Sequence, residues 1–251
     1  MLKDLLKRQR NFWREGSKSN MAYTKRFDGR KMDELRPMKA QIGVIPRADG
    51  SAMFTFGDTV AIAAVYGPKQ LHPQHLQNPQ KGIVRCYYDM LSFSVTERKK
   101  PGPSRRSQEI SKITEWALSQ VLLLDEFPNT VVDIHISILQ ANASTRVAGI
   151  NAASMALAQA GVPMKELVAA VSVGKMDTTV VVDVIKEEED YEEGEGATDI
   201  PMAFLSNSRR MSLLQLDGKC SPEKLKEAIN AGEKACQQII DLQKKILKAV
   251  K

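Results

Sequence analysis

Cysteine is scarce in this 251-residue sequence. Cys86, Cys220 and Cys236 are odd in number, far apart and without a CxxC pair, which argues against a disulfide framework or zinc knuckle and fits a reducing cytoplasm. Histidine is as sparse, and His72, His75 and His135 are too scattered for a transition-metal site. No long apolar run is present: the longest, Val60 to Tyr66, falls far short of the roughly 18 residues that span a bilayer. Met1 is not followed by a hydrophobic signal segment, so membrane and secretory roles are disfavoured. The P-loop pattern GxxxxGK followed by Ser or Thr is also missing, which disfavours nucleotide hydrolysis of that kind.

What remains is an average soluble composition, 43% hydrophobic and 26% charged, enough for one large domain or two small ones. The net charge of +6 hides a segregation that matters more for partners. Residues 1 to 20 carry six basic and two acidic side chains, Arg98 to Arg106 carry five basic and none acidic, and Glu187 to Glu195 carry seven acidic and none basic. The two basic blocks suit a polyanion. Residues 1 to 20 read as a weak basic helix and linker, either a solvated tail or an RNA-touching arm, and Met21 is a second candidate start.

Period-two patterns predict strands. SAMFTF and TVAIAAVYG flank the turn pair Gly57-Asp58 as a hairpin. VVDIHISIL places Val132, Ile134, Ile136 and Ile138 on one face and His135 with Ser137 on the other, so His135 reads as a strand-face residue and not as a ligand. LVAAVSVG from Leu167 and TVVVDVI from Thr179 form two more strands, joined through Lys175 to Thr178. Three helices stand out. One follows Ser107, with Ile110, Ile113, Ala117, Val121 and Leu124 in step, and is expected to be largely buried; it stops before Pro128. The second follows Arg146 through NAASMALAQA to Gly161, and the third starts at Ser221-Pro222 with Leu225, Ile229, Cys236, Ile239 and Ile246 near one stripe. Clusters of strands and helices, with no visible repeat, predict a mixed α/β fold and not a regular doubly wound sheet.

PGPSRRSQEI and NASTRVAGI each precede a helix, and a helix N-terminus offers unpaired NH groups and a positive dipole end to an anion. Ser144, Thr145 and Arg146 could hold a phosphate, with Arg106 closing on it; alternatively Ser144 or Thr145 is only an N-cap and Arg105 and Arg106 are solvated charges. Most of the acidic run is expected to be a solvated loop. Asp199 differs: it stands where the chain returns to apolar sequence, and a carboxyl held there could act as a general acid or hold magnesium.

RFDGRKMDELRP, IPRADGSAMFTFGDTVAIAAVYGP, ERKKPGPSRRSQEISK, NASTRVAGINAASMALAQAGVPM and TDIPM, in this order, resemble the RNase-PH-like catalytic ring subunit of the archaeal exosome, in the RNase PH and polynucleotide phosphorylase superfamily, from about Arg26 to Lys248. The resemblance implies an RNase PH domain, ribosomal-protein-S5-domain-2-like, a single α/β domain of two pseudo-repeated halves over residues 21–251. It implies 3′ to 5′ phosphorolysis, in which inorganic phosphate, the co-substrate, attacks the terminal phosphodiester of single-stranded RNA and releases a nucleoside diphosphate. On the matching motifs, Arg106, Ser144, Thr145 and Arg146 bind the phosphate, and Arg98 and Arg105 hold the RNA 3′ end. Asp199 is one of two catalytic carboxylates; the other is Asp190 or Glu189, with Asp190 preferred, and magnesium would bind at Asp199 and Asp190.

Three departures from the family pattern stand out. Asn142 and Ser144 replace an acid and a glycine, the spacing between the paired acids is longer, and Gln74 replaces a basic pore residue, for which Lys69 or Lys81 would substitute; Arg85 is a further candidate RNA contact. The implied partners are a homologous inactive subunit in a hexameric ring of three heterodimers and RNA-binding cap subunits. Two alternatives compete: a non-catalytic RNA-binding ring subunit, and a homohexameric RNase PH that trims transfer RNA 3′ ends.

Overall fold

The computed structural model describes residues 23–192 and 194–249, so the expectations for residues 1–20 and Met21 lie outside the described residues. The first half begins with β1 (Met38–Ile42), β2 (Gly50–Phe56) and β3 (Thr59–Gln70). β4 (Ile83–Met90), α1 (Arg105–Ser119), β5 (Thr130–Gln140) and α2 (Thr145–Gln159) complete it. The second half comprises β6 (Val168–Met176), β7 (Thr179–Val182), the four-residue α3 (Lys186–Glu189), β8 (Ala197–Leu205), β9 (Met211–Leu214) and α4 (Pro222–Ala249).

The strands form two sheets, ordered β1-β2-β3-β5-β4 and β7-β6-β8-β9, in which β4 and β5 run parallel and the other pairs antiparallel. The Gly57-Asp58 hairpin closes with Phe56 opposite Thr59. Along β5 Val132, Ile134, Ile136 and Ile138 are buried as expected and His135 is exposed, but Val131 and Asp133 on the other face are buried as well, so the burial alternates only from Ile134 onward. Between the sheets lies α2, twelve of whose fifteen residues are buried. Its run of Ala148, Gly149, Ala152, Ala153 and Ala156 admits β2, β3 and β5 on one side and β6 on the other. A single apolar cluster therefore includes Phe54 and Ile136 of the first sheet, Met155 of α2, Val171 and Ile200 of the second sheet and Ile239 of α4. Each sheet is followed by a long helix that packs on it, α2 and α4.

Four expectations change. The first helix begins at Arg105, because Ser104 and Ser107 cap it reciprocally. It ends at Ser119, and Leu124 belongs to a separate 3-10 turn, because Val121 and Leu123 exchange backbone hydrogen bonds with Lys165 and Pro163. It is not largely buried: Ile110, Ala117 and Leu118 face the core while Trp116 is 58% exposed. The strand from Thr179 stops at Val182, because Asp183 turns to φ +57 and gives its carboxylate to Arg36.

Candidate active site

Between β5 and α2 the chain reverses through two consecutive left-handed residues, Ala143 (φ +52) and Ser144 (φ +54). Side chains from elsewhere hold this otherwise strained turn. Thr59 Oγ1 lies 2.8 and 2.9 Å from the carbonyls of Asn142 and Ala143 and shares its single proton between them, and Arg36 donates to Asn142 O at 2.7 Å. Ser144 donates to Val184 O at 3.1 Å and makes no side-chain cap to the helix. The first turn of α2 is thus uncapped by Ser144, with the buried Thr145 and the partly exposed Arg146 at its head.

Arg146 leans on β9's continuation: its Nη1 donates to Gln215 Oε1 at 2.5 Å, and Glu109 stands 3.9 Å away. Together with Arg106 from the first turn of α1, it lines a cavity of about 220 Å³ that Glu189, Asp199 and Asp217 also line. Among the described residues, Arg98, Arg105 and Arg106 are exposed and engage no hydrogen bond or ion pair. Arg106 is therefore a guanidinium facing a cavity with its donors unspent.

Asp199 lies in β8, opposite Gly174, and its backbone exchanges hydrogen bonds of 3.0 and 2.9 Å with Asp217. Ser172 donates to its Oδ1. Burial pushes the Asp199 carboxyl above its ordinary value, helped by the charge of Glu189 and opposed by Ser172, Arg146 and Arg106. A carboxyl whose pKa is raised inside a cleft keeps its proton to higher pH than a free one, which suits a general acid.

The choice between Glu189 and Asp190 is set by α3. Glu188 is fully buried and receives Arg26 in a two-pronged contact, Nε to Oε1 and Nη2 to Oε2, both 2.8 Å, with the Tyr23 hydroxyl on Oε1 at the same distance. With Glu188 pinned inward, Glu189 lines the cavity of Asp199. Lys186 reaches both acids, Glu189 at 3.4 Å and Asp190 at 2.7 Å, but Glu189 is 32% exposed and Asp190 62%. Asp190 borders a separate open cleft of about 1,170 Å³, together with Arg98 and Lys99. Asp190 and Asp199, expected as the catalytic pair and possible magnesium site, line different cavities, and Glu189, the other candidate, shares that of Asp199. Among the described residues no group of three or more His, Cys, Asp or Glu side chains is arranged to hold a metal ion.

Lys69 and Arg85 lie elsewhere. Both bind Asp133, at 2.8 Å each, on the outer face of the first sheet beside Tyr66, His135 and Tyr87. Burial works against the Asp133 carboxylate, but Arg85 and Lys69 overcome it and hold its pKa below the usual value. The structure thus brings together Arg106, the Ser144–Arg146 turn and Asp199, leaves Asp190, Lys69 and Arg85 outside, and adds Glu189, Asp217 and Ser172. Nothing local in the sequence marks Ser172 or Asp217; only their pairing with β8 reveals them.

The model of the 3′ exoribonuclease family, domain 1, matches residues 34–163, and that of domain 2 matches residues 166–235. The chain belongs to the 3′ exoribonuclease family. Curated relatives include the exosome complex component Rrp41 of Thermococcus kodakarensis, 50% identical over 224 residues, 89% of this chain and 88% of that one. The protein of the same name from Methanopyrus kandleri is 47% identical over 223 residues, 89% and 92% of the two chains. Among solved structures, rice Rrp46 superposes with a TM-score of 0.79 at 27% identity, covering 89% of this chain and all of that one. In this family member the RNase PH fold takes the form of the two sheets joined through α2.

Proposed function

We propose that this chain is the catalytic ring subunit of an archaeal-type exosome, a 3′ to 5′ exoribonuclease that cuts RNA with inorganic phosphate and releases nucleoside diphosphates. The observation that carries this reading is the shared cavity: two arginines forty positions apart in the chain face a carboxyl with a raised pKa. The relatives named as exosome components, alike over nearly nine-tenths of the chain, support the same reading.

Phosphorolysis brings a phosphate dianion against an anionic diester, so fixed cations and NH donors must neutralise both before attack. Arg106, Arg146 and the amides at the head of α2 hold the attacking phosphate; Arg105 and Arg98 steady the backbone of the RNA 3′ end. A phosphate oxygen attacks the terminal phosphodiester phosphorus and the bond to the penultimate 3′ oxygen breaks. Asp199, protonated on the oxygen that Ser172 does not occupy, gives its proton to that leaving oxygen. Glu189 takes the place assigned to Asp190, as the second carboxyl of the site. Magnesium, where bound, would be held by Asp199 and Glu189 in their ionised forms and would supply charge neutralisation at the leaving oxygen in place of the proton.

The competing structural role draws on Ser144 in place of glycine and on the enlarged acidic loop. Ser144 adopts the left-handed conformation that glycine would supply, so the turn keeps its path and that objection loses force. In the cell the subunit would alternate with an inactive homologue in a hexameric ring under RNA-binding caps, in the cytoplasm. The described residues contain no helix long and apolar enough to cross a membrane.

The test is release of nucleoside diphosphates from a single-stranded RNA by the full chain, alone and mixed with its homologous subunit. Release that requires phosphate and disappears in Asp199→Ala is the expected result. Nucleoside monophosphates formed without phosphate would overturn the reading, and a homogeneous active hexamer would favour the transfer-RNA-trimming alternative.

A further inference from the structure

The phosphate-binding end of α2 has a neighbour that the mechanism above does not use. Tyr88, on β4, is 5% exposed, and its hydroxyl is buried without a hydrogen-bond partner among the described residues. A buried hydroxyl left unpaired is costly, and native structures keep few of them. The groups acting on it are informative: although no hydrogen bond closes, the Thr145 hydroxyl is near enough to favour the ionised form, as are the charges of Arg106 and Arg146. Burial outweighs all three and raises the phenol's pKa, so Tyr88 remains a neutral donor.

Tyr88 is also held rigidly. Its backbone NH donates to Ser111 Oγ at 2.9 Å, and Ser111 in turn donates to Ser107 O at 2.7 Å, which ties β4 to α1. Its ring lies against α2 at Gly149: a Cβ there would come within 3.0 Å of Ile136 Cγ2 and 3.7 Å of Tyr88 Cε2. The close approach is to Ile136, and the Tyr88 ring sits at ordinary van der Waals distance from the same turn of the helix.

A threonine hydroxyl has one proton. If Thr145 donates that proton to a bound anion, its oxygen is left to accept, and the donor buried beside it is Tyr88. We propose that Tyr88 is a positioning residue for the attacking phosphate: its hydroxyl donates to Thr145 Oγ1 and turns the Thr145 proton toward the anion at the head of α2. The unpaired phenol then finds its partner when inorganic phosphate binds. This inference rests on the phosphorolytic reading and adds to it the part of the site behind the anion.

The test uses the full chain with its homologous ring subunit, comparing wild type, Tyr88→Phe, Thr145→Val and the double variant. Tyr88→Phe removes one oxygen and keeps the ring, so its melting temperature is expected to stay level or rise. The Michaelis constant for phosphate is expected to increase roughly three- to tenfold, the range of one net hydrogen bond. The constant for RNA and kcat are expected to stay within about twofold, as for lost binding that is equal in ground and transition states. A titration of inorganic phosphate followed by phosphorus NMR should show the same weakening without RNA. In the Thr145→Val background, Tyr88→Phe should add nothing further. An unchanged phosphate constant, equal changes in both Michaelis constants, or additive effects of the two substitutions would overturn the proposal. Those outcomes are distinguishable from failure of the phosphorolytic reading, in which wild type itself neither binds phosphate nor needs it for cleavage, and in which this role for Tyr88 falls as well.

Discussion

Asp199 is held between opposing influences, and the balance sets two predictions. Its pKa in the folded protein lies above the ordinary 3.8 because burial penalises the charge. A carboxyl raised on folding binds more protons in the native than in the unfolded state, so its contribution makes stability fall as pH rises from about 4 through the folded pKa. Asp199→Asn removes that penalty. Thermal melts should show the variant more stable than wild type at pH 7 and no different near pH 3, while kcat for phosphorolysis drops by about 10²–10⁴, the usual worth of a general acid. Ser172 opposes the shift by donating to the carboxylate form. Ser172→Ala should therefore let Asp199 keep its proton to higher pH, moving the alkaline limb of the kcat profile upward; a limb that stays put would detach Ser172 from Asp199's titration. Cys86 and Cys236 lie at the other extreme: burial pushes the Cys86 thiol up to about 12, so both are inert packing groups.

At the scale of the element, α3 explains why one of two adjacent acids faces the cavity. Four residues cannot hold a helix by themselves. What holds α3 is Glu188, buried with Arg26, whose remaining donors satisfy the carbonyls of Val182 and Asp183 at 2.8 Å each. Removing one partner of a buried pair leaves the other charge stranded, at a cost of about 3–5 kcal/mol. Glu188→Gln should lower stability by that order in denaturant melts and depress kcat by unfastening Glu189, whereas Asp190→Asn should leave both near wild type. The same element marks the limit of what sequence could reveal. Alternation along β5 from Ile134 onward and the small-residue pattern of α2 were readable because they are local periodicities that survive folding unchanged. Arg106, Arg146 and Asp199 were readable as candidates because each borders a helix start or strand of evident type. The inward turn of Glu189 was not, since it depends on a partner 162 positions away, and the same holds for the early end of β7, fixed by Arg36 across the loop.

For the whole molecule, positive charge is distributed over separate surfaces. Arg106 lines the cavity of Asp199, Arg98 borders the larger open cleft and Arg105 is exposed beside Arg106, whereas Lys69 and Arg85 share Asp133 on the far side of the first sheet, which halves their pull on a polyanion. RNA affinity should fall steeply with salt and vary little with base sequence. Substituting Arg98 or Arg105 by alanine should flatten the salt dependence by about one unit of slope each, measured by filter binding on an unstructured RNA, and Lys69→Ala should change it less.

The chemistry straddles a seam. Both arginines and the turn proposed to bind the anion come from polypeptide before residue 160, while Asp199, Glu189 and Asp217 come from after it. A chain divided at Gly161 would part the holder of the incoming group from the giver of the proton. Neither piece would own a reaction, and cleavage power would return only as the pieces reassociate, a built-in safeguard against nuclease activity from an incompletely folded chain.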